Sequence, residues 1–233
     1  VAPLFPPRPA SAHKGTYGTL AVIGGAQGMA GAAALAARAA FRAGAGKVVV
    51  VAEEASRAAL QTLVAEATGA EALRGTGPAA LAVGPGLGTG PWGAARLEEA
   101  LATPLPVVLD ADALNLLRGR LGEIGARTGP VVLTPHPGEA SRLLGLPVSS
   151  VAADPANAAL RLAAESRATV VLKGFRSVVA TPAGRVARVL AGNPGLATGG
   201  SGDVLTGIVG ALLARGRTAW EAAAAGAYLH GLA

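Results

Sequence analysis

PVVLDADALN, residues 106–115, holds a whole structural unit in ten residues. Pro106 opens it, Val107, Val108 and Leu109 follow, and the polarity then changes within one residue to Asp110. A short, β-branched-rich run that ends at an acid suits a strand buried on both faces of a parallel sheet, and 113–118 continues it with helical spacing. The unit recurs. TLAVIG (19–24), KVVVVA (47–52), AALAVG (79–84), PVVLT (130–134) and ATVVLKG (168–174) are runs of the same kind. Between them, segments 31–43, 55–67, 93–102, 138–144 and 155–166 carry Ala, Leu, Arg and Glu at helical spacing.

Near the end, SVVATPAGRVARVL (177–190) reads as a hairpin turning at PAG, followed by helices over 203–214 and from about 218. Strand and helix in alternation predict a single doubly wound α/β domain with a mostly parallel sheet and one antiparallel pair. VAPLFPPRPASA (1–12) holds four prolines and no periodicity, so it reads as a lead-in or linker to a domain over 13–233. There is no internal repeat.

Composition narrows the function classes. The 233 residues are 51% apolar but only 3% aromatic, so the core must be aliphatic. No window offers the roughly 18 uninterrupted apolar residues of a membrane span, and no secretory signal is visible. There are no cysteines, which removes disulfides, thiolate metal sites and cysteine nucleophiles, and makes the cytoplasm the default location. The net charge of +6 comes from singly scattered arginines with few aromatics between them, a pattern suited to anionic small molecules and not to nucleic acid.

In sheets of this kind ligands gather beyond the carboxyl ends of the strands. The unusual residues fall there: Gly24-Gly25, GPGLG (84–88), DADALN (110–115), TPHPGE (134–139) and Lys173-Gly174. Asp110 and Asp112 share a side if the chain is still extended, and could hold Mg²⁺ through water; alternatively one caps the next helix and the other braces a loop. Asp154 reads as a plain helix cap. His136, between two prolines, stands on a stiff binding wall; Glu139 reads as a helix-start charge. Lys173 can meet phosphate as a point charge or lie as an edge lysine.

GNPGLATGGSGDVLTGIVGALLARG (192–216) has one acid, Asp203, behind Gly199, Gly200 and Gly202. Bare glycines let backbone N–H groups approach a ligand, and a helix start favours an anion. With neither GxxxxGK[ST] nor GxGxxG in the chain, this is the candidate anion site. A carboxylate beside it suits phosphoryl transfer: it takes the proton of an attacking hydroxyl while backbone dipoles hold the migrating charge.

Taken in order, HKGTYGTLAVIGGAQGMAGAA, GPGLG, LDADALN, LTPHPGEASRL, VVLKG and GNPGLATGGSGDVLTGI resemble the ADP/ATP-dependent NAD(P)H-hydrate dehydratases of the ribokinase-like superfamily, from His13 to Gly231. The resemblance implies a three-layer sandwich and an enzyme that passes nucleotide phosphate to the hydroxyl of hydrated NADH or NADPH, after which phosphate elimination restores the cofactor. It implies Mg²⁺ as cofactor, ADP or ATP as co-substrate, no nucleic-acid or membrane partner, and a homotetramer. By position it makes Asp203 the base, with Gly202 and Gly200 in the anion hole. Lys173, Gly174, Phe175, Arg176, Ser177 and Gly202 fall on the nucleotide, and Ala32, Gly86, His136 and Asp203 on the nicotinamide hydrate. No metal ligand is assigned. Ser201 stands where the family usually has Thr, and GGAQG where a GGS-type start is commoner.

Family chains usually continue by one more helical segment beyond AYLHGLA. The proline-rich start resembles the junction behind a fused epimerase domain, which fits the C-terminal part of a bifunctional protein as well as a free-standing enzyme. Two further readings stand beside the dehydratase: a small-molecule hydroxyl kinase of the same superfamily, and a nucleotide-sensing module without turnover.

Overall fold

All six apolar runs form strands in the computed structural model, which describes residues 4–233. β1 (Thr19–Ile23) leads to α1 (Ala30–Arg42), β2 (Lys47–Val51) to α2 (Glu54–Leu63), and a short β3 (Thr68–Ala70) follows. α3 (Pro91–Leu101) joins β4 (Ala80–Val83) to β5 (Val107–Leu109). α4 (Ala111–Leu116) and α5 (Leu121–Gly125) precede β6 (Val131–Leu133); α6 (Pro137–Leu144), α7 (Val148–Ala153) and α8 (Pro155–Ser166) precede β7 (Thr169–Leu172). The chain ends with β8 (Val178–Ala180), β9 (Val186–Arg188), α9 (Ser201–Ala214) and α10 (Ala219–Leu232).

One sheet results, ordered β3-β2-β1-β4-β5-β6-β7-β8-β9. Every pair from β3 to β7 is parallel, and the expected hairpin supplies the antiparallel pairs β7–β8 and β8–β9. Alternate strand residues serve opposite layers, as a sheet buried on both faces requires. Leu20, Val22, Ala80, Ala82 and Val108 pack under α1, α2, α9 and α10. Ala21, Ile23, Leu81, Val83 and Leu109 pack under α3 to α8. The near absence of large aromatics is met by close approach: a Cβ on Gly207 of α9 would strike the carbonyl of Ala36 in α1.

Three elements were not legible in the sequence. β3 is a TGA edge segment with no β-branched run, paired only to β2; α5 and α7 are five and six residues long, too short for helical periodicity to register. Segment 55–67 stops being helical at Leu63, where Val64 leaves helical geometry (φ −139°, ψ 78°) ahead of β3. Of the proline-rich stretch, residues 1–3 lie outside the described residues; Leu4 and Phe5 pack on the core and Arg8 lies 4.1 Å over the Tyr17 ring. Among the described residues no helix is long and apolar enough to cross a membrane.

From β1 the chain winds outward through β2 to β3, then returns to β4 on the other side of β1 and winds the opposite way. The carboxyl ends of β1 and β4 therefore bound the crevice in which such sheets bind ligands.

Candidate active site

Asp203 lies in the first turn of α9, behind Gly200, whose φ of +88° only glycine adopts readily. No side chain of the described residues caps this helix, so its leading N–H groups stay available to a ligand. Burial, then the neighbouring charge of Asp110, with a smaller push from Asp112, raises the Asp203 carboxyl to about 6 against the pull of Lys173. At neutral pH it is ionised yet basic enough to take a proton.

Asp110 and Lys173 form the floor. Lys173 Nζ donates to Asp110 Oδ1 at 2.6 Å, and Thr206 Oγ1, one turn along α9 from Gly202, donates to Asp110 Oδ2 at 2.7 Å. Asp110 is 1% exposed, and these two partners offset the cost of its burial. A Cβ on Gly202 would sit 3.2 Å from Lys173 Nζ and 3.4 Å from Asp110 Oδ2. The lysine thus stands under the bare start of α9, where an anion would be held.

The wall is the β6–α6 turn. His136 Nδ1 accepts from the N–H of Gly138 at 3.0 Å, and Glu139 Oε2 accepts from the N–H of His136 at 2.7 Å, a reciprocal capping box. Burial first, then Lys173 and Arg142, lowers the His136 pKa. With Nδ1 accepting, the neutral ring carries its proton on Nε2, on a half-exposed side chain. Glu139 is buried, which raises its pKa, and its Oε2 lies 3.8 Å from Lys173 Nζ. It is more than the helix-start charge expected from sequence: it joins the Lys173–Asp110 cluster.

The extended geometry that would place Asp110 and Asp112 together is not adopted. Ala111 takes φ +47° and the helix starts at once, so the two carboxylates part. Asp112 accepts from the N–H of Gly88 at 2.9 Å and from Asn115 at 3.3 Å, the loop-bracing role. Asp110 occupies the cap position of α4 without capping it. Neither carboxylate is left free, and among the described residues no group of three or more His, Asp or Glu side chains can hold a metal ion. The protein side chains alone therefore build no cage of three metal ligands among the described residues. Asp154, by contrast, caps α8 through Asn157 N at 3.0 Å.

At the crevice itself Gly86 (φ +59°) and Ala32 meet: a Cβ on Gly86 would lie 3.1 Å from that of Ala32. Leu35, one turn further along α1, touches Gly200, so α1 adjoins the start of α9. On the other side a cleft of about 610 Å³ is lined by Lys173, Gly174, Phe175, Arg176 and Ser177, and also by Ser201 and His230. Phe175 is 94% exposed on its rim, and Arg176 (φ +61°) turns the chain beneath it. Lys173 links the cleft to the start of α9, since it lines the cleft and its Nζ lies 3.2 Å from where a Cβ on Gly202 would sit; Gly86 and Ala32 meet each other on the α1 side.

Sequence reasoning missed Thr206 and His230. The HPGE spacing of a capping box could have shown that Glu139 is fixed; nothing local marks Thr206 or His230, which only tertiary packing brings in.

The family profile described as NAD(P)H-hydrate dehydratase matches residues 20–233. The chain belongs to the NAD(P)H-hydrate dehydratase family. It is 45% identical to the ADP-dependent (S)-NAD(P)H-hydrate dehydratase of Neisseria meningitidis serogroup B, with 99% of this chain and 80% of that protein aligned. It is 42% identical to the bifunctional NAD(P)H-hydrate repair enzyme of Moorella thermoacetica, where 98% of this chain covers 47% of the relative, so it spans about half the length of that protein. The solved ADP/ATP-dependent NAD(P)H-hydrate dehydratase of Bacillus subtilis, co-crystallised with ATP and Mg²⁺, superposes with a TM-score of 0.89 at 37% identity, covering 97% of this chain and 83% of that one. The three-layer architecture of this NAD(P)H-hydrate dehydratase family member is thus the one the motifs implied.

Proposed function

We propose that this chain uses the terminal phosphate of ADP or ATP to dehydrate the hydrated form of NADH or NADPH. In this reading residues 13–233 are the catalytic domain and 1–12 its lead-in. The nucleotide lies in the cleft along Lys173, Gly174, Phe175, Arg176 and Ser177, with its terminal phosphoryl group at the N–H groups of Gly200 to Gly202. The hydrated ring rests against Ala32, Gly86 and His136, its hydroxyl at Asp203.

Asp203 removes the hydroxyl proton as the oxygen attacks phosphorus. The P–O bond to the nucleotide breaks, and the negative charge that migrates is met by the start of α9 and by Lys173. The phosphate ester then leaves as phosphate, and loss of a ring proton restores the double bond. Mg²⁺ would enter this scheme with the nucleotide, where it would offset phosphate charge, since among the described residues no cage of three protein ligands is formed. The carrying observation is the placement of Asp203: raised to about 6, and in the same turn as Gly202 above the Lys173–Asp110 pair.

Incubation with hydrated NADPH and either nucleotide tests the proposal through the absorbance of the reduced ring. Recovery with release of inorganic phosphate supports it; a stable phosphate ester points instead to a kinase. The same reading makes the enzyme a cytoplasmic homotetramer, which light scattering on the purified protein checks for the assembly. The lack of cysteines accords with a reducing compartment.

A further inference from the structure

His230 stands near the end of α10, far in sequence from every motif above. Its Nε2 lies 3.1 Å from Ser201 Oγ, and both side chains line the 610 Å³ cleft. Ser201 is the first residue of α9, directly before Gly202 and Asp203. Next to it, a Cβ on Gly231 would lie 2.7 Å from the carbonyl of Ala191, so α10 presses against the chain leaving β9. Burial, and to a smaller degree the charge of Lys173, lowers the imidazole pKa against the opposing pull of the Ser201 backbone.

A neutral imidazole has one N–H, and a serine hydroxyl one proton. If Nε2–H donates to Ser201 Oγ, the serine proton is free to point into the cleft. If Nε2 accepts instead, that proton is consumed. Only the first arrangement adds a donor to the bare peptide N–H groups beside it. Glycines alone cannot supply such a donor.

We propose that His230 is a positioning residue, donating from Nε2 to Ser201 so that the serine hydroxyl hydrogen-bonds a phosphate oxygen of the bound nucleoside diphosphate or triphosphate. The inference rests on the nucleotide reading of the cleft and adds two side chains to it.

Calorimetric titration of the full chain with ADP tests it, because binding needs no turnover. Ser201→Ala is expected to weaken ADP binding by about tenfold, the effect of one lost hydrogen bond, and His230→Ala by a similar factor. The double variant should bind no worse than Ser201→Ala alone, and His230→Gln, which offers a side-chain N–H, should recover most of the affinity. In turnover the loss should appear in KM for ADP, with KM for the hydrate unchanged. A merely structural histidine would lower Tm without that selectivity or the glutamine rescue. Wild-type affinity in Ser201→Ala, or losses that add in the double variant, would overturn the proposal. A wild-type chain that binds no nucleotide would overturn the cleft assignment beneath it, a distinguishable failure.

Discussion

Lys173 and Asp110, sixty-three positions apart in the chain, meet at 2.6 Å beneath the first turn of α9. Removing one member of a buried pair leaves the other uncompensated. Lys173→Met is therefore expected to destabilise the fold by about 3–5 kcal/mol, seen as a lower urea midpoint. Adding Asp110→Asn should return part of that loss. An unchanged midpoint in Lys173→Met would show that the pair does not hold the floor.

After burial, the pair also tunes the base. Asp203 must be ionised to accept a proton, and its carboxyl lies at about 6, so turnover is expected to fall as pH drops through that value. Asp110→Asn removes the largest charge that raises Asp203 and leaves Lys173 pulling it down. The acid limb of the rate profile should then move to lower pH. A limb that stays in place would mean another group titrates.

Glycines in α9 divide into two kinds. Gly207→Val would drive α9 from the carbonyl of Ala36 and should cost about 1–3 kcal/mol, measured by thermal unfolding. Gly202→Ala meets only Lys173 Nζ at 3.2 Å and Asp110 Oδ2 at 3.4 Å. Its stability should change by no more than about 0.5 kcal/mol, while turnover falls on the order of 10- to 100-fold because the methyl occupies the anion cradle.

Phe175, 94% exposed, contributes little to the core. Phe175→Ala should leave stability within about 0.5 kcal/mol of wild type. If the ring stacks on the nucleotide base, an interaction worth about 1–3 kcal/mol, KM for ADP or ATP should rise accordingly. Unaltered nucleotide KM would place the base elsewhere.

What could be read in advance followed from strong local signals. Runs such as KVVVV and AVIG declare buried strands, and PAG between two short apolar runs declares a turn, so the core of the sheet was legible. β3 was not, because TGA owes its strand conformation to β2 alone. Asp203 and Lys173 stood out as rare residue types at element ends, and Gly202 as part of a glycine cluster beside Asp203. Glu139, Thr206 and His230 did not: their proximity to the site is created by α6, α9 and α10 packing around the sheet, and no spacing within a single element encodes it. Asp110 and Asp112 were readable two ways, and the loop-bracing reading holds for Asp112. A common face required an extended chain, and α4 begins at Ala111, with its positive φ, between them.

The direct test of the whole scheme is the turnover of Asp203→Asn, with ADP binding measured on the same preparation. Loss of a general base is expected to lower the rate of NADPH recovery by about 10²–10⁴-fold while ADP still binds as in the wild type. A variant that recovers NADPH at nearly the wild-type rate would contradict the assignment of Asp203 as the base.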